Sequence, residues 1–224
     1  MKTLLFDIDG TLIVTNDTGT QALETVLQST FGVKRPCMDV AFGGRTDFSL
    51  INEVLLLNDI TPNEANFLAF TKAYRNLLPQ TLSECGGEIL PGVVELLSRL
   101  AKCAEIRCDV MTGNLRDTAT QKLDHFGLTH YFDNIFGGDF DADRRHLARR
   151  TALFLRGSHG HEVKDGTIVI GDTPADITCG LDIGASVLAV CTGQFNRDSL
   201  EAAGANAVHE DLSDVDTVFR WLTE

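Results

Sequence analysis

Apolar and polar residues along this 224-residue chain follow two periods in turn, and each change of period marks an element. Runs that are apolar at nearly every position predict buried strands at Thr3–Ile8, Ile106–Met111, Asn134–Gly138, Thr167–Asp172 and Ser186–Cys191. Stretches with apolar residues three and four apart separate them. Pro91 opens a helix with Val94, Leu97 and Leu100 on one face. Asn114 can cap another that turns Ala119, Leu123 and Phe126 inward and stops at Gly127. A third helix covers Leu147–Leu155 and ends at Gly157. Strands and helices in alternation predict an α/β fold with a mostly parallel sheet.

One stretch breaks the alternation. From about Asn16 to Cys85 only helical patterns appear. Ala22, Val26 and Thr30 lie beside Leu23, Leu27 and Phe31 in the first; Asp47 can cap a second bearing Leu50, Ile51, Val54 and Leu55. "TPNE", Thr61–Glu64, has the form of a capping box with Pro62 at the first helical position of a third. These patterns predict an all-helical insertion over residues 16–85, a module that can work as a lid, on a core of residues 1–15 and 86–224.

Composition narrows the function. A formal charge of −13 argues against nucleic acid or an anionic membrane as partner, since both are held by basic patches. A small anionic substrate remains compatible, because a cation can reverse the field inside one cleft. The six cysteines form no C-x-x-C pair and read as reduced thiols. Asp7 interrupts the first apolar run before a signal core forms, and no run approaches the ~20 residues of a membrane span. A cytoplasmic location is expected; the oligomeric state is left open.

The chemistry gathers at strand ends. "LLFDIDGTLI" runs an apolar strand into Asp7 and Asp9, which share one strand face and repel unless a cation offsets them. A second strand ends in "TGN", Thr112–Asn114, and a later one in "GDTPAD", with Asp172 at its edge and Asp176 in the next turn. Ligands of open parallel sheets bind outside the carboxyl ends of the strands, so these segments should converge. Clustered carboxylates without a His or Cys pattern suit Mg²⁺. Asp7 could then attack phosphorus to give an aspartyl-phosphate, and Asp9 could protonate the leaving oxygen and activate water. Thr112 and the amides of Gly113 and Asn114 could hold phosphoryl oxygens, with one basic side chain balancing the remaining charge.

"DIDGTL", "TGN" and "GDTPAD", in this order and around a helical insertion, resemble the haloacid dehalogenase-like phosphohydrolases, most closely the capped branch that includes phosphoglycolate phosphatases. The likeness spans essentially the whole chain. It implies a Rossmann-like core with a helical cap, a small phosphorylated metabolite as substrate, Asp7 as nucleophile and Asp9 as acid/base. It implies Mg²⁺ held by Asp7, the backbone carbonyl of Asp9 and Asp172, with Asp176 nearby. "GGRTD", Gly43–Asp47, is similar to the family's cap segment facing the active site, which makes Arg45 a candidate contact for the far end of the substrate. The family's usual Lys-Pro after "GGD" is missing from "GGDFDADRRHL"; Arg144 is the first candidate for the cation and Arg145 the second.

Other readings compete. Asp176 has a purely structural alternative, since "TPAD" is itself a capping-box pattern, and Asn114 can be a helix cap alone. A dehalogenase has no leaving oxygen to protonate and so no need of Asp9. A phosphoglucomutase-like phosphotransferase would differ only in the acceptor. A signalling module phosphorylated on Asp7 without turnover fits poorly with a long insertion after the first strand. The six histidines lack metal-ligand spacing, and "HGHEVKDG", 159–166, resembles a solvated loop.

Overall fold

The structure, a computed structural model, describes residues 2–159, 163 and 166–224. β1 (Lys2–Phe6) leads through a tight turn to the two-residue β2 (Ile13–Val14). Three helices follow: α1 (Thr18–Phe31), α2 (Asp47–Leu57) and α3 (Glu64–Cys85). β3 (Glu88–Ile89) then pairs antiparallel with β2, so the helices enter and leave through a small two-stranded neck. The remainder alternates: α4 (Val93–Leu100), β4 (Ile106–Met111), α5 (Arg116–His125), β5 (Ile135–Phe136) and α6 (Arg144–His159). It continues with β6 (Thr167–Gly171), α7 (Pro174–Asp182), β7 (Ser186–Val190), α8 (Arg197–Ala202), β8 (Ala207–His209) and α9 (Val215–Thr223).

Six strands form one parallel sheet in the order β5-β4-β1-β6-β7-β8. Alternation along β1 sends Leu4 and Phe6 to one face and Leu5 to the other. Leu4 and Phe6 join Leu97 of α4, Leu123 of α5 and Leu222 of α9; Leu5 joins Leu147 of α6, Ile177 of α7 and Leu200 of α8. The result is the three-layer, Rossmann-like arrangement expected, with β1 in the middle. From β1 the chain steps outward to β4 and β5, then returns to the other side of β1 at β6. That reversal opens a crevice at the carboxyl ends of β1, β4 and β6.

α1, α2 and α3 bury a cluster of their own, which includes Leu27, Ile51, Leu55, Phe70 and Leu78. Several local expectations change. Thr46, not Asp47, caps α2, its hydroxyl accepting from Ser49 N; Asp47 turns toward the core instead. α3 starts at Glu64 under an Asn63 cap, so Thr61 and Pro62 precede the helix and Pro62 is not its first residue. α4 starts at Val93 after Gly92, and its buried face is Val93, Leu96, Leu97 and Leu100, leaving Val94 exposed. Thr30 is exposed at the end of α1. α5 begins at Arg116 without a side-chain cap, because Asn114 is occupied elsewhere. α6 passes Gly157 to reach His159. Most of "HGHEVKDG" lies outside the described residues. Among those described, no helix is long and apolar enough to cross a membrane, and all six cysteines are free thiols.

Candidate active site

Asp7 leaves β1 with its amide bonded to Ile170 O of β6 at 2.9 Å. The chain then turns at Gly10, whose φ of +77° a residue with a side chain would adopt only under strain. A Cβ there would also collide with the Asp172 carboxylate, as would one at Gly193. The two glycines give Asp172 its room. Thr11 Oγ1 donates to Asp172 Oδ1 at 3.2 Å, tying the turn after β1 to the end of β6.

Arg144, the first residue of α6, reaches back under this turn. Its Nη2 lies 3.4 Å from Asp7 Oδ2 and forms a close ion pair with Asp176. Asp176 closes a capping box with Thr173: Thr173 N and Oγ1 donate to its Oδ2 at 3.1 and 2.7 Å. The structural reading of that motif therefore holds, and the same carboxylate also anchors the arginine. Arg145 points away, its side chain 56% exposed and 4.0 Å from Asp182. Of the two candidate cations, only Arg144 lies beside Asp7.

Asp7, Asp172 and Asp176 offer oxygens that all lie within 4.8 Å of one another, and all three residues are buried. One guanidinium does not balance three carboxylates at that spacing. Burial pushes Asp7 up to about 6, against the attraction of Arg144 and hydrogen bonds from Ile8 and Thr112. Burial, reinforced by Asp176 and Asp7, pushes Asp172 up to about 8. For Arg144 burial opposes the charge, but Asp176 and Asp7 outweigh it and raise its pKa. Such a site lacks positive charge and supplies hard oxygen donors, so these residues could hold a divalent metal ion.

Thr112 continues β4, its amide bonded to Phe136 O at 3.0 Å. Gly113 sits so close to the Arg45 carbonyl that a Cβ would overlap it, and Gly113 O accepts from Asp47 N at 2.7 Å. The segment before α2 is thus laid against the loop after β4. Asp47 Oδ2 accepts from Leu115 N at 2.8 Å, and Thr46 Oγ1 donates to Asp141 O at 2.7 Å. Burial raises Asp47 to about 6 despite the Leu115 bond. Arg45 forms an ion pair with Glu53 one helical stretch on.

A cavity of about 540 Å³ lies between the helical insert and the sheet edge. Asp7, Asp9, Arg45, Thr112, Gly113, Asn114, Arg144 and Asp172 all line it, whereas Asp176 stands behind Arg144 and does not. Asp9 is outside the close carboxylate cluster, its side chain turned to Lys122 and Asn114. Lys122 escaped the sequence reading, although it shares the inward face of α5 with Ala119 and Leu123, where a charge stands out. Asp47, Tyr74 and Thr11 were also missed as cavity or site groups: "GGRTD" and "DIDGTL" were singled out, but Asp47 was read there as a helix cap and Thr11 as part of a turn, and Tyr74 lies in a segment read only as helix.

Comparison with known proteins decides the family. A sequence model described as "Haloacid dehalogenase-like hydrolase" matches residues 4–190. The chain belongs to the haloacid dehalogenase-like hydrolases. It is 28% identical over 230 positions to the phosphoglycolate phosphatase of Rhodospirillum rubrum, covering 95% of this chain and 88% of that one. It is 27% identical to the phosphoglycolate phosphatase of Caulobacter vibrioides, covering 95% and 88%. The crystal structure of CbbY from Rhodobacter sphaeroides in complex with phosphate superposes with a TM-score of 0.74, at 20% identity and 96% coverage of both chains. The resemblance drawn from the motifs is borne out, and the haloacid dehalogenase-like hydrolase fold with it.

Proposed function

We propose that the protein is a phosphatase that hydrolyses a small phosphomonoester through a covalent intermediate on Asp7. The observation that carries this reading is the surrounding of Asp7. It is a buried carboxylate at a strand end, flanked by Arg144, the Thr112 hydroxyl and a second carboxylate, Asp172, and open to one cavity. Phosphatases among the relatives support it.

In the first half-reaction an Asp7 oxygen attacks phosphorus and the ester P–O bond breaks. Asp9 gives its proton to the departing oxygen, and the free alcohol leaves. In the second, Asp9 takes a proton from water as that water attacks phosphorus, releasing inorganic phosphate and restoring both side chains. The Thr112 hydroxyl, the Gly113 and Asn114 amides and Arg144 hold the phosphoryl oxygens while charge redistributes. Asp7, Asp172 and the backbone carbonyl of Asp9 would hold Mg²⁺, with Asp176 supporting Arg144. Such an ion supplies charge neutralisation that lets an anionic ester approach carboxylates. Residues 16–85 act as the cap: Arg45 and the wall provided by Tyr74 and Leu50 meet the alcohol part, and docking of the insert excludes water.

A panel of small phosphomonoesters, phosphoglycolate among them, assayed for inorganic phosphate with and without Mg²⁺ tests the reading. Mg²⁺-dependent release from at least one member is expected. Transfer to a sugar without phosphate release would replace the phosphatase by a phosphotransferase, and inertness toward the whole panel would contradict both.

A further inference from the structure

Lys122 is a fully folded-in ammonium with three ligands. Its side chain is 5% exposed, and Nζ donates to Asp9 Oδ1 at 2.8 Å, Asp9 Oδ2 at 2.6 Å and Asn114 Oδ1 at 2.8 Å. Asn114 closes the loop, its Nδ2 donating to Asp9 Oδ2 at 2.7 Å and to Thr112 Oγ1 at 2.9 Å. All three ammonium protons are therefore spent on the two motifs at the ends of β1 and β4.

A lysine is rarely buried unless paired, because removing the charge from water is costly. On the inward face of α5 an apolar residue would pack beside Ala119 and Leu123 without that cost. We infer that Lys122 is a positioning residue for Asp9: with Asn114 it fixes the rotation of the carboxylate that exchanges protons with the leaving group. The inference rests on the acid/base role proposed for Asp9.

The clamp has a direction. Gripping both oxygens from one side keeps the Asp9 carboxylate out of the Asp7–Asp172–Asp176 cluster, where it would add a further negative charge. The shared Asn114 amide then holds Asp9 in register with Thr112, a phosphoryl-binding group. Oδ2 has two partners, Lys122 and Asn114, whereas Oδ1 has Lys122 alone. Oδ2, with the additional bond, is the more firmly held of the two oxygens.

Leaving-group dependence separates positioning from support of the fold. A phenol made acidic by a nitro group departs without much help, whereas plain phenol needs the acid. The wild type, Lys122→Met, Lys122→Arg, Asp9→Asn and the Asp9→Asn/Lys122→Met double variant are assayed on 4-nitrophenyl phosphate and phenyl phosphate. General acid catalysis is worth about 10²–10⁴-fold, so Lys122→Met should lower kcat/KM, which reports the step in which the phenol departs, at least ~10-fold more for phenyl phosphate than for 4-nitrophenyl phosphate. KM should change little, Lys122→Arg should restore part of the difference, and the double variant should be no slower than Asp9→Asn. Equal losses on both esters, or additive losses in the double variant, would overturn the inference. Should Lys122→Met fail to fold, Lys122→Gln carries the same comparison. A wild type inert toward both esters and the wider phosphomonoester panel would instead remove the phosphatase reading, and this inference with it.

Discussion

Arg144 Nη2 lies 3.4 Å from Asp7 Oδ2, bringing the first residue of α6 onto the residue that follows β1. The side chain is 4% exposed and is shared with Asp176, so its charge works undiluted by water. Arg144→Met should cut kcat/KM about 10²–10³-fold, the usual effect of losing one preorganised donor to a developing anion. It should also destabilise the fold by about 3–5 kcal/mol, because two buried carboxylates lose their partner. Arg144→Lys should keep part of the activity, since the charge survives but the planar fork does not. Steady-state kinetics and urea unfolding of both variants measure this.

Asp172 and Asp7 predict an unusual pH dependence. Their folded values of about 8 and about 6 lie above the ordinary 3.8, so between those limits the folded protein binds protons that the unfolded chain releases. The stability they contribute is complete below about 4 and is lost as pH rises through 6 and then 8. Metal-free protein should therefore lose Tm from this source between pH 5 and about 8, and Mg²⁺ should raise Tm more at pH 8 than at pH 5, since binding must displace those protons. A Tm increment from Mg²⁺ that is flat with pH, or larger at pH 5, would contradict this account of the carboxylates.

Gly113 is one of the places where the insert meets the core, beside the α3–α5 contact at Arg75 and Asp117. With the Arg45 carbonyl against its Cα, Gly113→Ala should push the segment before α2 away and break the Asp47 N bond to Gly113 O. Substrate KM should rise several-fold, and amide exchange should quicken in residues 43–50 while the sheet strands keep their protection. Unchanged exchange there would show that the contact is not needed for docking.

Arg45 is held by Glu53 across a partly exposed ion pair. Such pairs contribute less than about 1 kcal/mol, so Glu53→Gln should barely alter stability. It should, however, free the guanidinium for a ligand. The ratio of kcat/KM for phosphoglycolate, which carries a carboxylate, to that for a neutral phosphomonoester should increase; a constant ratio would remove Arg45 from substrate contact.

Much of this was legible in the residues. The apolar runs ending in Asp7, Thr112 and Asp172 are buried strands, and burial on both faces is what makes such runs readable. Three short strands were not: β2 and β3 have two residues each and β8 three, too few for a period, whereas the equally short β5 was read within the apolar run Asn134–Gly138. Local capping patterns misled where tertiary partners compete. Asn114 forgoes α5 for Asp9, Thr112 and Lys122, and Asp47 leaves the cap of α2 to Thr46 because Leu115 N claims its carboxylate. Lys122 was hidden by reading α5 through its apolar residues alone. The Thr173–Asp176 box was readable because both partners are local, while its second duty toward Arg144 comes only from the fold.

The central claim is that Asp7 is the attacking group. Enzyme turning over a ³²P-labelled phosphomonoester is quenched in acid within milliseconds, digested, and its labelled peptide sequenced by mass spectrometry. The account predicts acid-stable label on Asp7, absent from Asp7→Asn and accumulating in Asp9→Asn to the extent that water activation is lost. Turnover without label, or label on Asp9 or Asp172 instead, would contradict it.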